Sequence, residues 1–305
     1  MQRTIRIGTR SSALAMWQAL FVEEKLKAQG HNTQIIKIDS DGEMNLTAPL
    51  YEMGVQGIFT KTLDVALLGN KIDVAVHSLK DVPTQLAKNI VIAAIPERGN
   101  PKDVLVMRDD IHPPKHETNF VVATSSLRRK AQWLHRYPAH STENMRGNIN
   151  TRLQKLMDTP TWGGALFAAA GLERINLQVP HKIELDWMLP APAQGALGVA
   201  CRADDAEMRA ICATLNHTET EICVDAERQF LRALMGGCTM PIAAYASFVG
   251  DEIIFTGNVL SIDGRKKAEI ALNSSREAAK NIGKLAAEEI LKQGAAEILA
   301  EIKKL

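Results

Sequence analysis

The chain is 305 residues long, 46% hydrophobic and 23% charged, with a formal net charge of +1. That length and composition suit two or three soluble globular domains, each with its own core. A near-neutral balance excludes a general polyanion binder, and no apolar run approaches the length of a membrane span.

"TIRIGT" reads as a strand and "SALAMWQALFVEEKLKAQG" as an amphipathic helix closed by Gly30. The chain enters that strand within a few residues and shows no apolar leader or cleavage site, so a cytoplasmic location is expected. "TQIIKID" predicts a second strand, "TKTLDVALLGNK" a helix, "IDVAVHS" a buried strand and "NIVIAAIP" another. This alternation describes an α/β domain whose sheet is covered on both faces. "ERGNPKD" (97–103) gathers charges, glycine and proline, and reads as a hinge.

A second α/β unit follows: strand "NFVVAT", helix "SSLRRKAQWLHRY", helix "NINTRLQKLMD", then "GALFAAAGLERI" as a strand running into a turn and helix. "IRIGTRSSALAMWQA" and "FVVATSSLRRKAQWL" share the order strand, Thr, Ser-Ser, helix, the mark of a loose duplication of architecture. From 120 to 155 seven Lys or Arg side chains stand against one acid, Glu143, a positive patch that suits a small acidic ligand better than a nucleic acid. "MLPAPAQGALGVACR" (188–202) carries an apolar strand that reads as a return to the first domain. "ETEICVDAERQFLRALMGG" is a helix ended by Gly236-Gly237, and three antiparallel strands follow with "GDE" and "DGR" turns. Ser274-Ser275 then reads as the cap of a long C-terminal amphipathic helix. The expected domains are 1–97 with 196–216, 101–190, and an α+β domain, 218–305, with a three-stranded antiparallel sheet. The four cysteines (Cys201, Cys212, Cys223, Cys238) form no C-x-x-C pair and have no histidine at zinc spacing, so reduced thiols and no metal are expected.

Two serine-rich strand-to-helix turns are the first candidates for chemistry. Helix N-termini present unpaired N–H groups and hold anions. "TRSS" (9–12) and "TSSLRR" (124–129) add hydroxyls, and Arg10, Arg128 and Arg129 add planar forks suited to carboxylates. Each turn alone reads more readily as a serine cap with solvated arginines. Arg146 and Arg152 in "MRGNINTR", with Arg174 in "GLER", shift the balance toward an arginine-lined cleft between two α/β domains.

"VHSLKDVP" (76–83) places Lys80 and Asp81 where an apolar strand ends, and ligands of open α/β sheets bind at strand carboxyl ends. Asp81 among cations stays ionised and accepts N–H donors, or it belongs to a salt-bridged turn closed by Pro83. His77 reads more readily as a structural histidine than as a base. Cys238, after two glycines, is either a small core residue or a thiol able to act as nucleophile or attachment point.

Seven stretches, "RIGTRSSALAMWQA", "AVHSLKDVP", "ATSSLRR", "RGNINTRL", "AAAGLER", "PAQGALGVACR" and "GGCTMPIAAYA", stand in the order and spacing of the porphobilinogen deaminase (hydroxymethylbilane synthase) family. The resemblance runs from about Ile5 to about Ile254. It implies two periplasmic-binding-protein-like α/β domains flanking a cleft and a third α+β domain. The activity it implies is head-to-tail condensation of four porphobilinogen molecules with loss of ammonia, giving hydroxymethylbilane. It also implies a dipyrromethane cofactor held by a thioether to Cys238, and no nucleic-acid or membrane partner; a monomer is expected. By the same resemblance Asp81 is the central carboxylate. Ser78, Lys80, Thr124, Ser126, Arg128, Arg129 and Arg146 lie on the cofactor side. Arg10, Ser12, Arg146, Arg152, Arg174 and Gln194 lie on the substrate side.

The chain departs from the family pattern at three places. Gly54-Val55-Gln56-Gly57 lacks the usual lysine, Asp41 replaces a frequent base, and Ala193 stands where glycine is usual. The first two fall in 40–60, expected to be a lid. A ligand-binding protein of the periplasmic type, or a regulator's effector domain, shares the paired α/β pattern. An intact mass separates them, since neither carries a covalent bipyrrole.

Overall fold

The computed structural model describes residues 3–38, 58–108, 114–116, 119–179, 181–234 and 240–304. In chain order the first part forms β1 (Ile5–Thr9), α1 (Ala13–Ala28), β2 (Thr33–Lys37), α2 (Ile58–Leu68), β3 (Val74–Ser78) and β4 (Ile90–Ala94). Next come β5 (Asp103–Met107), β6 (Val121–Ala123), α3 (Leu127–Arg136), β7 (Ser141–Glu143), α4 (Ile149–Asp158), β8 (Gly164–Ala168), α5 (Ala169–Arg174) and β9 (His181–Glu184). The remainder gives β10 (Leu197–Arg202), α6 (Ala206–Ala213), α7 (Thr218–Ala233), β11 (Ile242–Val249), β12 (Glu252–Leu260), β13 (Lys267–Ser275), α8 (Ile282–Ile290) and α9 (Ala296–Ile302).

Among the described residues the chain divides into two compact units, one of 3–38, 58–99 and 195–221 and one of 100–194 and 222–304. The first unit holds one five-stranded sheet in the order β2-β1-β3-β10-β4. β1 runs parallel to β2 and β3, whereas β10 is antiparallel to both β3 and β4. The helices bury both faces, so successive residues of β3 serve opposite cores. Val74 and Val76 pack with Ala19, Val22 and Leu26 of α1, and Ala75 packs with Leu63, Ala66 and Leu67 of α2. α1 forms because Ala15, Gln18, Ala19, Val22 and Leu26 repeat at helical spacing, and it stops at Gly30, whose φ of 85° suits glycine.

The second unit contains two sheets. Its five-stranded sheet, β7-β6-β8-β5-β9, repeats the first unit's arrangement strand for strand. β6 is parallel to β7 and β8, and β5 is antiparallel to β8 and β9. The two similar stretches, 5–19 and 120–134, are therefore the equivalent second strand, cap and helix of each sheet. Its three-stranded meander β11-β12-β13 packs one face on α7, α8 and α9 through Phe230, Phe255, Ile282 and Ile290.

Two expectations are corrected. The 97–103 stretch is not all hinge, because Asp103 opens β5 and is completely buried. Ser274 and Ser275 do not cap a long helix. They end β13, paired with Ile253 and Glu252, and the helix begins only at Ile282. That helix is then interrupted at Gln293-Gly294, where Gly294 takes a φ of 100°, before α9 resumes. The 40–57 part of the expected lid and the Gly236-Gly237-Cys238 segment lie outside the described residues.

Candidate active site

In the first unit β1 and β3 are parallel neighbours, so their carboxyl ends open on the same edge of the sheet. β1 delivers Arg10 and the Ser12 cap of α1; β3 delivers Ser78 and a single 3-10 turn, Leu79–Asp81. The Ser12 hydroxyl accepts the Ala15 N–H at 3.4 Å, and Thr9 Oγ1 donates to the Ala15 carbonyl at 2.8 Å. Gln18, on the buried face of α1, donates from Nε2 to Ser78 Oγ at 2.7 Å, which ties the two strand ends together. Arg10, Lys80 and Asp81 are all half-buried. Leu79 is fully buried and its N–H is held by the Ala196 carbonyl at 3.0 Å, so the Lys80-Asp81 turn is anchored from below. His77 is buried. Burial, with the charge of Arg10 second, pulls its ring down to about 4, so it is neutral at physiological pH.

In the second unit β6 ends at Thr124-Ser125-Ser126, and Ser126 caps α3 by accepting the Arg129 N–H at 3.4 Å. Both cap serines thus perform the structural task, and both keep their hydroxyl proton available for donation. The next two residues turn inward. Arg129 donates from Nε and Nη2 to Asp103 Oδ1 at 2.9 and 2.7 Å, and from Nη1 to the Leu166 carbonyl at 2.9 Å. Arg128 donates from Nη1 to Asp103 Oδ2 and to the Leu189 carbonyl, both at 2.7 Å. Gln194 is completely buried and donates to Asp103 Oδ1 at 2.9 Å and to the Pro101 carbonyl at 2.7 Å. Burial alone would raise Asp103, but the charges of Arg128 and Arg129 overcome it and hold the carboxyl far below the usual carboxylate range. Burial likewise lowers Arg128, with Asp103 opposing. Arg128 Nε is a buried donor with no hydrogen-bond partner.

Ser125 joins this turn to the next loop. Its hydroxyl donates to the Met145 carbonyl at 2.8 Å and accepts the Met145 N–H at 2.9 Å, which sets Arg146 beside the β6 turn. The loop bends at Gly147, with φ of 117°, and a Cβ there would lie 2.7 Å from Thr151 Cγ2. Arg152, in the first turn of α4, donates from Nε back to the Gly147 carbonyl at 2.7 Å. Arg174 ends α5, and burial, opposed by Glu173, brings its guanidinium down to about 10, an environment that favours a counter-anion. Ala193 adopts a φ of 63°, and its N–H is held by the buried Glu227 carboxylate at 2.6 Å.

The structure thus gathers Arg10, Ser12, Ser78, Lys80 and Asp81 on one sheet edge, and Thr124, Ser126, Arg128, Arg129 and Arg146 on another. Arg152 and Arg174 sit on the helices that follow. Sequence reasoning missed Asp103, Ser125, Gln18 and Glu227. Only Gln18 left a clear signal, a polar residue in the buried stripe of an otherwise apolar helix face.

Two sheets of one topology, each with a serine-capped helix and arginines at its strand carboxyl ends, define an α/β protein equipped to bind acidic groups. The family model "Porphobilinogen deaminase, dipyromethane cofactor binding domain" matches residues 5–210, and that of the porphobilinogen deaminase C-terminal domain matches 221–292. A porphobilinogen deaminase of Nostoc sp. is 41% identical over 92% of this chain and 89% of its own. One from Methylobacillus flagellatus is 41% identical over 87% and 86%, and one from Chloroherpeton thalassium 40% over 90% and 88%. The chain belongs to the porphobilinogen deaminase family. Among solved structures it is also similar to a periplasmic binding protein of Salmonella typhimurium, at 12% identity over 72% of this chain and 94% of that one, with a TM-score of 0.42.

Proposed function

We propose that the chain is a transferase that joins four porphobilinogen molecules head to tail on a dipyrromethane primer, releasing ammonia and hydroxymethylbilane for tetrapyrrole biosynthesis. Family membership at 41% identity over 92% of the chain carries this reading. It is a cytoplasmic monomer that acts on a small molecule and needs neither nucleic acid nor membrane.

In this reading Cys238 of "GGCTMP" holds the dipyrromethane through a thioether. Acetate and propionate side chains fit the cluster around Asp103. Two guanidiniums face one carboxylate there, leaving a surplus positive charge and the unpartnered Arg128 Nε. Arg128, Arg146, Thr124, Ser126, Ser78 and Lys80 would hold those carboxylates. Arg129 and Gln194 act through Asp103, because each donates to its Oδ1 and fixes its position. When bound, the dipyrromethane supplies a nucleophilic pyrrole carbon from which the chain grows.

Arg10, Ser12, Arg152 and Arg174 serve the acidic substituents of incoming porphobilinogen. As its C–N bond breaks, both electrons leave with nitrogen and positive charge develops on the pyrrole. Asp81, fixed on its anchored turn, accepts the pyrrole N–H and stabilises that charge more than it stabilises the ground state. The test is an intact mass of the purified chain with a porphobilinogen-consumption assay. A mass increment of two pyrrole units, abolished in Cys238→Ala, is expected. A chain with neither increment nor consumption overturns the reading.

A further inference from the structure

We propose that a small pocket in the first unit, lined by Thr60, Asp64, His77 and Gln85 beside Val82-Pro83, binds ammonium, the nitrogen released at each condensation. The inference rests on the function proposed above only for the source of that nitrogen. The pocket lies within the first unit alone, and two of its lining residues directly follow Asp81. It has room for a guest the size of a single water molecule.

Strand geometry explains why polar groups meet there. On β3, Ser78 faces α1, where Gln18 holds it, so its neighbour His77 faces the opposite side with Ala75, toward α2. Gly198 of β10 pairs with His77 and puts no side chain beside the ring. α2 brings Thr60 and Asp64, one helical turn apart, to the same pocket. The His77 imidazole is 7% exposed and makes no hydrogen bond to any described residue, and the half-buried Asp64 carboxylate makes none either.

The chemistry of this lining selects the guest. Neutral His77 offers a ring nitrogen, and Asp64, Thr60 and Gln85 offer oxygen acceptors. Burial raises Asp64 to about 6, so it is largely ionised at neutral pH, while His77 stays uncharged. Arg10, the cation whose charge acts on His77, works to keep the ring neutral. Leu86, Ile90, Ile92 and Ala200 close the rest of the pocket with apolar surface, so its acceptors and single negative charge lie on one side, and that side favours a small cation with several N–H donors. Ammonium has four in tetrahedral array, whereas water has two donors and no charge. The departing amine leaves as ammonia with the C–N electron pair and takes a proton from solvent, so the captured species is ammonium.

The test is titration of the purified wild-type protein with ¹⁵N-ammonium chloride at constant ionic strength, observed by proton–nitrogen NMR at neutral pH. A saturable, exchange-protected signal is expected, weakened at least ten-fold in the isosteric Asp64→Asn and reduced again in His77→Gln. Circular dichroism of both variants checks that they are folded. Potassium, of nearly the same size but without N–H donors, should displace the signal at least ten-fold less well than unlabelled ammonium. Absence of a saturable signal, an undiminished signal in folded Asp64→Asn, or equal displacement by potassium overturns the proposal. Ammonium binding without porphobilinogen consumption would overturn the function and leave the pocket standing; consumption without binding does the reverse.

Discussion

Arg129 grips Asp103 at two points, with Nε and Nη2 at 2.9 and 2.7 Å from the same carboxylate oxygen, in a place with no exposed surface on the acid. Arg128 takes the other oxygen, so one buried carboxylate organises two guanidiniums at the head of α3. Removing its charge leaves two buried cations without a counter-ion, which costs about 3–5 kcal/mol when a buried pair is broken. Asp103→Asn should lower unfolding free energy by that order in urea titrations. A loss under about 1 kcal/mol would show that the arginines do not depend on it.

Asp81 sits on a turn anchored by buried Leu79, so its substitution should leave the fold intact. Asp81→Ala should lose turnover by several orders of magnitude in steady-state assays while keeping the mass increment of the cofactor. Asp81→Glu keeps the charge and moves it by one methylene, and should retain more activity than Asp81→Ala. Equal activity in all three forms would remove the carboxylate from the reaction.

Gly283 lets α8 approach α7 closely. A Cβ at this position would lie 1.9 Å from the Ala226 carbonyl oxygen, which is backbone and cannot swing aside. Gly283→Ala should therefore destabilise the second unit by about 2 kcal/mol or more through overpacking, despite the better helix propensity of alanine. Thermal unfolding measures this, and an unchanged or raised Tm would contradict the close approach.

His77 gives acid sensitivity with a definite sign. Its folded pKa of about 4 lies below its ordinary 6.5, so the unfolded chain takes up the proton first. Its contribution is fully present above pH 6.5 and is lost progressively as pH falls toward 4, roughly 3 kcal/mol in total. Asp64, raised to about 6, opposes it over most of that range, since its folded form holds the proton more tightly. Asp103 and Asp73 are held below the usual carboxylate range and lose their contribution only below about pH 4. Measured between pH 6.5 and 4.5, the wild type should lose little stability, because the two contributions nearly offset, whereas His77→Gln, left with Asp64 alone, should gain stability. Identical slopes would mean that the ring is not buried neutral.

Sequence periodicity announced most of the α/β alternation, because both faces of each sheet are covered and the strands read as short apolar runs between amphipathic helices. It also reached the strand-end residues, since Arg10, Ser12, Ser126 and Asp81 follow directly from strand-to-helix punctuation. It could not reach Asp103. A charge among glycine and proline looks like solvent-facing hinge, and its burial depends on arginines 25 and 26 residues away. Nor could it see Ser125 fasten the β6 turn to Met145, or Glu227 reach Ala193 and Ala246 from the middle of a helix. Ala193 takes a left-handed φ of 63°, a conformation that glycine adopts far more readily than alanine. Ser274 and Ser275 resemble helix caps in the sequence, but cross-strand pairing to β12 claims them first and the helix starts later.

β10 fills the gap between β3 and β4, yet it is encoded after the whole of the other five-stranded sheet. On a ribosome, β3 and β4 emerge about a hundred residues before the strand that bridges them. Until then each carries an open ladder edge, the kind of surface on which nascent polypeptides stick to one another. The amino-terminal unit is thus synthesised first but completed late, and the Lys80-Asp81 turn gains its Ala196 anchor only when that bridging strand arrives.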